Sequence, residues 1–145
     1  MRIIIAGGRD FNNYNLLEKS CLSIIKQLNK EEYNTNNIKI ISGRAKGADQ
    51  LGEEFGKAHK FNIEYFPADW NNLEAEPCLV RTNQYGEYNV LAVMNRNIEM
   101  VTYTSEEPEI GILIAFWDKK SKGTKNMIKG AKEYGLKVFV VNYVN

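Results

Sequence analysis

Three segments of the chain place glycines and cationic side chains directly after apolar runs. They are Arg2–Phe11 (RIIIAGGRDF), Ile38–Asp49 (IKIISGRAKGAD) and Ile110–Lys125 (IGILIAFWDKKSKGTK). Each apolar run predicts a buried parallel strand, and the last two segments then open a helix. Free backbone N–H groups and the positive end of the helix dipole attract anions at such a junction. The three segments therefore predict a binding site for a phosphorylated ligand.

Gly7 and Gly8 follow the first apolar run at once, and they would let a ligand approach the backbone because no Cβ stands in the way. Arg9 could then hold a phosphate or carboxylate through two hydrogen bonds. The alternative is a tight turn in which Arg9 pairs with Asp10 at the surface. The spacing is not that of the GxGxxG dinucleotide fingerprint.

The segment Ser42–Asp49 is the more specific signal, because a strand runs into a loop of small residues and then into a helix. The hydroxyl of Ser42 and the loop amides could bind an anion, and Arg44 and Lys46 add positive charge. No GK[ST] ends the loop, so it is not a Walker A motif. Asp49 could complement the helix dipole and cap loop amides, or it could accept a hydrogen bond from a ribose hydroxyl.

Further candidates follow the third strand and lie in the third helix. Asp69 could accept from a ribose or base, and Trp70 could stack on a base or plug the sheet edge. Arg96 and Asn97 lie in the predicted third helix. Asparagine is a poor helix former, so its presence there indicates a polar role for these two residues. The alternative is a solvent-exposed helix face held by salt bridges. Trp117 and Phe11 are further stacking candidates. The complete set of candidate ligand-binding residues is Gly7, Gly8, Arg9, Asp10, Phe11, Ser42, Gly43, Arg44, Ala45, Lys46, Gly47, Asp49, Asp69, Trp70, Arg96, Asn97, Trp117, Asp118, Ser121, Gly123 and Thr124.

The elements that must position these residues alternate between strand and helix. Strands are predicted at Ile3–Ala6, Ile38–Ser42, Ile63–Phe66, Ile110–Phe116 and Val138–Val141, and helices at Leu16–Leu28, Ala48–Lys60, Tyr88–Thr104 and Thr124–Tyr134. This alternation predicts a parallel sheet with helices on both faces. In the order 3-2-1-4-5, the first and fourth strands would flank the ligand crevice.

The prediction is less specific for the third helix and for the stretch that precedes it. The third helix shows an apolar helical period through Leu91, Met94, Ile98 and Val101. The stretch Asn71–Glu87 has no clear period, and we expect a long loop with one helical turn. Loops of that length in compact domains are usually functional or disordered.

Composition limits the classes of function. The chain has 145 residues and a formal net charge of +1, so we expect one domain over 1–145 and do not favour nucleic acid as a partner. Two cysteines and a single histidine, His59, argue against a disulfide framework, a metal site or a histidine triad. No signal peptide or apolar run of ~20 residues is present, so we expect a cytoplasmic protein without membrane contact, metal or cofactor.

Taken together, these segments resemble the SLOG superfamily, a Rossmann-like group that includes the DprA domain and the Lonely Guy phosphoribohydrolases. Its small stand-alone branch, found in bacteria and phages, reads as G-[GS]-R-x-F, SGGARGAD, PADW, AG-x-x-RN-x-x-M and AFWDG-x-SRGT. The matching segments here are Gly7–Phe11, Ser42–Asp49, Pro67–Trp70, Ala92–Met100 and Ala115–Thr124. The resemblance covers nearly the whole chain and implies one α/β Rossmann-like three-layer domain with a mostly parallel five-stranded sheet.

The chain departs from this pattern in the loops. Arg44 replaces the second glycine of SGG, Lys46 replaces a common arginine, and Val93 replaces the glycine of AG. The added charge of Arg44 implies a ligand that differs from the family's usual one. The stretch between Trp70 and Ala92 is longer than the pattern, so an inserted segment at about 71–87 could form a lid or an oligomer contact.

The resemblance implies binding of a nucleotide or nucleotide-derived signal, with phosphate or pyrophosphate at Gly7–Arg9, Ser42–Gly47 and Ser121–Thr124. Binding without turnover would serve sensing or sequestration, for example of immune signalling nucleotides if the source is a phage. The family also implies a homo-oligomer.

Two alternatives remain open. An enzyme could cleave an N-glycosidic or phosphoester bond in the same ligand, with Asp10, Asp69 or Asp118 as acid or base. The Lonely Guy branch uses an arginine and a glutamate of PGGxGTxxE, but Asn126 and Met127 stand here where acidic residues would be, which argues against that chemistry. A DprA-like binder of single-stranded nucleic acid is disfavoured by the near-neutral charge.

Overall fold

The computed structural model describes residues 1–144. The strands are β1 (Arg2–Gly7), β2 (Lys39–Ser42), β3 (Asn62–Tyr65), β4 (Val80–Asn83), β5 (Gly86–Asn89), β6 (Gly111–Trp117) and β7 (Lys137–Asn142). The helices are α1 (Tyr14–Lys30), α2 (Ala48–Ala58), α3 (Ala92–Thr104) and α4 (Lys122–Glu133).

Five strands form one parallel sheet in the order β3-β2-β1-β6-β7. Along the chain, β1, β2, β3, β6 and β7 are the first to fifth strands of the predicted sheet. In that numbering the observed order is 3-2-1-4-5, so the predicted order is confirmed. β1 lies at the centre beside β6, with Ile5 opposite Ile114 and Gly7 opposite Phe116. The chain reverses its direction of winding between these two strands, which is where open α/β sheets bind ligands.

Helices cover both faces of the sheet because successive side chains of a strand point to opposite sides. Ile3 and Ile5 face one buried cluster, which also contains Leu17 of α1 and Phe55 of α2. Ile4 faces the second cluster, to which α3 and α4 contribute Met100, Val101, Met127 and Ile128. The result is the predicted three-layer, Rossmann-like α/β arrangement.

The prediction of a loop with a helical turn at 71–87 is wrong. β4 and β5 pair there as an antiparallel hairpin outside the main sheet, with Val80 opposite Asn89. Asn89 is buried, and its side-chain oxygen accepts hydrogen bonds from the amides of Leu79 (3.1 Å) and Leu91 (3.0 Å). The backbone N–H of Asn89 donates to the carbonyl of Trp70 at 2.7 Å, so one residue ties the hairpin to the domain.

The apolar period of the third helix does not coincide with its buried face, although Val101 lies on both. α3 begins at Ala92 and buries Ala92, Arg96, Met100, Val101 and Thr104, whereas Met94 is 44% and Ile98 46% exposed. The reason is that the face turned to the sheet carries Arg96, whose hydrogen bonds lie at the ends of β2 and β3. The apolar stripe of α3 is thereby turned toward α4 and solvent.

Candidate ligand-binding site

A cleft of about 420 Å³ lies at the carboxyl ends of β1 and β6. We call it the central cleft. The loop after β1, the start of α2, α3 and the start of α4 all contribute to its walls. Of the residues predicted from sequence, it brings together Gly7, Gly8, Arg9, Asp10, Ala45, Asp49, Arg96, Asn97, Asp118, Ser121, Gly123 and Thr124.

A second cleft of about 450 Å³ lies on the other side of Arg9 and Arg96. We call it the cationic cleft, because its charged lining residues are Arg9, Arg44, Lys46 and Arg96. Trp70 and Gly43 from the predicted set also line it. Asp69 lies apart from both, in a third cleft beside Glu76 and Glu99.

Gly8 is required for packing as much as for access. A Cβ at this position would overlap the hydroxyl of Tyr143, which is itself buried. The same hydroxyl donates a 2.6 Å hydrogen bond to Asp10, and burial followed by that bond raises the pKa of Tyr143. The carbonyl of Gly8 accepts from the amides of Phe11 and Ala48, so it joins the loop after β1 to the start of α2.

Arg9 is exposed and has no hydrogen-bond or ion-pair partner within residues 1–144. The predicted alternative, a pair between Arg9 and Asp10, does not form. The Arg9 guanidinium lies close enough to Arg96 to lower the pKa of Arg96. Two cations therefore face the clefts from neighbouring elements, and one of them lacks a counter-ion.

Arg96 is 8% exposed and lines both clefts. Nη1 donates to the carbonyl of Gly43 and, at 3.4 Å, to that of Phe66, while Nε donates to Oδ1 of Asn97 at 2.8 Å. Burial lowers its pKa, and the charge of Asp49 opposes this shift. Arg96 is thus not on a salt-bridged solvent face but joins α3 to the ends of β2 and β3.

The loop after β2 satisfies its own polar groups. Ser42 is buried, and its hydroxyl donates to Glu53 at 2.6 Å and accepts from the amide of Arg44 at 3.1 Å. The expectation that the Ser42 hydroxyl binds an anion is therefore wrong. Asp49 accepts from the amide of Ala45 at 3.3 Å, which favours the capping role predicted for it. Glu53 was not singled out from the sequence, although it follows Asp49 by one turn of α2.

Two residues of this loop have a left-handed backbone. Gly47 has φ +81°, and a Cβ there would overlap the carbonyl of Gly8. Arg44 has φ +62°, a conformation that side chains disfavour. Its guanidinium lies 4.4 Å from the ring centre of Tyr65, and Nε is 3.6 Å from Glu53.

The three aromatic candidates, Phe11, Trp117 and Trp70, differ in how far their rings are accessible to a ligand. Phe11 is buried and stacks on Phe116 at 4.9 Å between ring centres, so its proposed role as a base-stacking residue is wrong. Trp117 packs against the α3–α4 cluster, and its indole N–H donates to the carbonyl of Ser121 at 3.0 Å. Trp70 is 41% exposed, lines the cationic cleft and touches Tyr88 edge-on. Only Trp70 of the three remains free to stack on a base.

The start of α4 is partly capped by the chain itself. Oδ1 of Asp118 accepts from the amides of Lys120 and Ser121, both at 2.8 Å, and these bonds lower its pKa. Ser121 caps the helix by accepting from the amide of Thr124 at 3.3 Å. The amides of Lys122 and Gly123 keep no partner within residues 1–144. No atom lies within 4 Å of a Cβ added at Gly123, so this position opens into the cleft.

Asp49 is 5% exposed and lines the central cleft. Burial raises its pKa to about 6, although the amide of Ala45 and the charge of Arg96 oppose the shift. It is therefore a carboxyl group whose pKa lies closer to neutral pH than that of an ordinary aspartate.

Among residues 1–144, no group of three or more His, Cys, Asp or Glu side chains could hold a metal ion. None of the helices in this part of the chain is long and apolar enough to cross a bilayer.

The family model described as YAcAr, the YspA, cpYpsA-related SLOG family, matches residues 1–72 of this chain. The matched part contains the loops after β1, β2 and β3. The segments at 92–100 and 115–124, which supply Arg96 and the start of α4, lie beyond it. No curated protein and no solved structure gives a significant match.

Proposed function

Because this chain belongs to the SLOG superfamily, we propose that it binds a nucleotide or a nucleotide-derived ligand at the carboxyl ends of β1 and β6. The observation that carries the proposal is the pair Arg9 and Arg96, which line the central cleft together. Arg9 has no counter-ion within residues 1–144. A guanidinium without a partner beside a buried one is suited to phosphate, which it can hold through two hydrogen bonds.

The other walls of the central cleft suit the rest of a nucleotide. Asp118 is held as a carboxylate by the amides that it accepts, and a carboxylate can accept hydrogen bonds from ribose hydroxyls or base N–H groups. The amide of Gly123, which has no partner within residues 1–144, adds a donor at the start of α4. The cleft volume of about 420 Å³ lies in the range of small-molecule sites.

Calorimetric titration with common nucleoside mono- and diphosphates tests this proposal. Arg9→Ala is expected to weaken binding about tenfold or more, which corresponds to the loss of a charge-assisted hydrogen bond. Arg81→Ala is the matched control, because Arg81 is an exposed arginine on β4 outside both clefts. No binding by the parent protein, or equal losses in both variants, would contradict the proposal.

Sensing or sequestration of the ligand is the form of this function that we favour. It is supported by the absence of acidic residues at Asn126 and Met127, where the phosphoribohydrolase branch has them. The two free cysteines, Cys21 and Cys78, favour a reducing compartment such as the cytoplasm. If the source is a phage, capture of a signalling nucleotide would suit such a binder.

One observation favours hydrolysis of the ligand as a second candidate. Asp49 lines the central cleft with a pKa raised by burial to about 6, so it is suited to proton transfer near neutral pH. A protonated Asp49 could donate to a departing base while water attacks the sugar. Mass spectrometry of the nucleotide after incubation separates the two functions, because only hydrolysis changes its mass.

We also propose that the chain forms a homo-oligomer through the segment 71–87 and its hairpin. The support is a set of exposed apolar side chains on one segment, Leu73, Leu79, Val80 and Tyr85, the last of them 88% exposed. Contiguous exposed apolar side chains are typical of protein contacts.

A further inference from the structure

The two clefts that meet at Arg9 and Arg96 differ in charge. The central cleft adds three carboxyl groups to these cations, those of Asp10, Asp49 and Asp118. The cationic cleft instead adds Arg44 and Lys46, and none of its lining residues is acidic. An anion is attracted more by the second environment than by the first, since it meets additional cations in the second and carboxylates of its own sign in the first.

We infer that the anionic group of the ligand lies in the cationic cleft against Arg9, Arg44 and Lys46, while its sugar and base occupy the central cleft. The inference rests on the proposed function and adds the orientation of the ligand. It places the phosphate away from the start of α4, which is one of the three positions that the sequence predicts. The ligand class is then a nucleoside phosphate whose sugar and base offer hydrogen-bond donors to the carboxylates of the central cleft.

Arg44 supports this orientation through its backbone. An L-residue in the left-handed region costs about 1–2 kcal/mol, which a glycine at the same position would avoid. The pair with Glu53 is long, at 3.6 Å, and Arg44 remains exposed. This pair and the contact with the Tyr65 ring contribute at most about 1 kcal/mol each, so together they do no more than offset the strain and leave no net gain in stability from arginine.

Lys46 and Trp70 complete the cationic cleft. Lys46 is exposed and has no partner within residues 1–144, so it can turn toward an anion without losing an existing contact. Trp70 is the exposed aromatic side chain in the same cleft. The loop amides contribute less, because Ser42 and Asp49 already accept from those of Arg44 and Ala45.

The start of α4 is the competing position for the phosphate. Asp118 already accepts from two of its amides and Ser121 from a third. Of the remaining donors, Gly123 lines a cleft that contains Asp10 and Asp118. The two positions can be told apart because each has its own exposed lysine, Lys46 in one and Lys122 in the other.

The test compares Lys46→Ala with Lys122→Ala, which each remove one exposed lysine charge. Calorimetry measures the binding of inorganic pyrophosphate and of the four common nucleoside diphosphates. We expect Lys46→Ala to weaken both kinds of ligand about tenfold and Lys122→Ala to weaken them less than about twofold. Melting curves of the free variants are expected to match the parent, since neither lysine has a partner within the described residues 1–144.

The other outcomes of this comparison bear separately on the orientation of the ligand and on nucleotide binding itself. A larger loss in Lys122→Ala, or equal losses in both variants, would overturn the orientation while nucleotide binding stands. Binding of pyrophosphate that depends on Lys46, without binding of any nucleoside diphosphate, would support the anion position and overturn the proposed function. Binding of neither kind of ligand by the parent protein would overturn both.

Discussion

The guanidinium of Arg96 and the carboxyl group of Asp49 both lie beside the position that a Cβ of Gly43 would occupy, and both are nearly buried. A Cβ built on Gly43 would be 2.7 Å from Nη1 of Arg96 and 2.8 Å from Oδ2 of Asp49. The opposite charges of the two groups stabilise each other, as the direction of their mutual effects on pKa shows. The absence of a side chain at Gly43 therefore lets these two opposite charges, one on α3 and one on α2, come close together.

Gly43→Ala is expected to lower the free energy of unfolding by about 1–3 kcal/mol, because overpacking would force apart two buried charged groups. Urea denaturation measures this change. Gly130→Ala is the control, since Gly130 lies within α4 with no atom within 4 Å of an added Cβ. That variant should be unchanged or more stable. Equal stability of Gly43→Ala and the parent would show that Arg96 and Asp49 are not held in place.

Asp49 is expected to give the fold a specific pH dependence. Its pKa is about 6 in the folded chain against an ordinary value of 3.8, so the folded state holds the proton more tightly. This contribution is fully present below about pH 4 and is lost as the pH rises to about 6. Asp49→Asn cannot ionise, so it should exceed the parent's free energy of unfolding by about 1–3 kcal/mol near neutral pH.

Urea denaturation at about pH 4.5 and about pH 7.5 measures the difference between Asp49→Asn and the parent. The difference should be larger at the higher pH. A difference that is the same at both values would mean that Asp49 does not titrate in this window.

Arg44→Gly should separate stability from binding. The variant relieves the left-handed strain of about 1–2 kcal/mol. It also loses the contacts with Glu53 and Tyr65, worth at most about 1 kcal/mol each. We therefore expect a net change in stability within about 1 kcal/mol, together with a pyrophosphate affinity about tenfold weaker or more. A large loss of stability with unchanged affinity would assign Arg44 to the fold alone.

The hairpin is expected to mediate self-association. Light scattering at micromolar concentration should give a mass above the 16.6 kDa of one chain. Tyr85→Ser, which removes the most exposed aromatic ring of the hairpin, should shift the distribution toward that value. Tyr134→Ser, which removes an exposed tyrosine ring outside that segment, is the control. A parent protein that measures as one chain would refute the prediction.

The sheet was predictable because β1 and β6 are continuous apolar runs followed by glycine or charged loops. Such runs are typical of central parallel strands, and their alternation with helices indicates that the strands are parallel. The hairpin was not predictable, since Arg81, Thr82, Asn83 and Glu87 give its strands no alternating apolar pattern. Its anchor is a single buried asparagine, Asn89, whose partners are backbone amides.

The sequence predicted which loops contribute to the site but not how their side chains are arranged. The sequence located Arg9, Asp49 and Arg96 but could not show that Arg96 is buried, because a helix period built on apolar residues favours the opposite face. In the sequence, Phe11 cannot be distinguished from an aromatic residue that stacks on a base, and only the fold shows that it packs against Phe116. The role of Gly8 depends on Tyr143, which lies far along the chain and has no local signal.

Stabilisation of the protein by its ligand tests the central claim most directly. Gly123 lines the central cleft and points into open space, so Gly123→Val should leave the melting temperature of the free protein nearly unchanged. Gly130→Val makes the same change in the same helix outside that cleft. The parent and Gly130→Val should gain stability with rising nucleotide concentration, as mass action requires, whereas Gly123→Val should gain none. Equal stabilisation of all three proteins would contradict nucleotide binding in the cleft between β1 and β6.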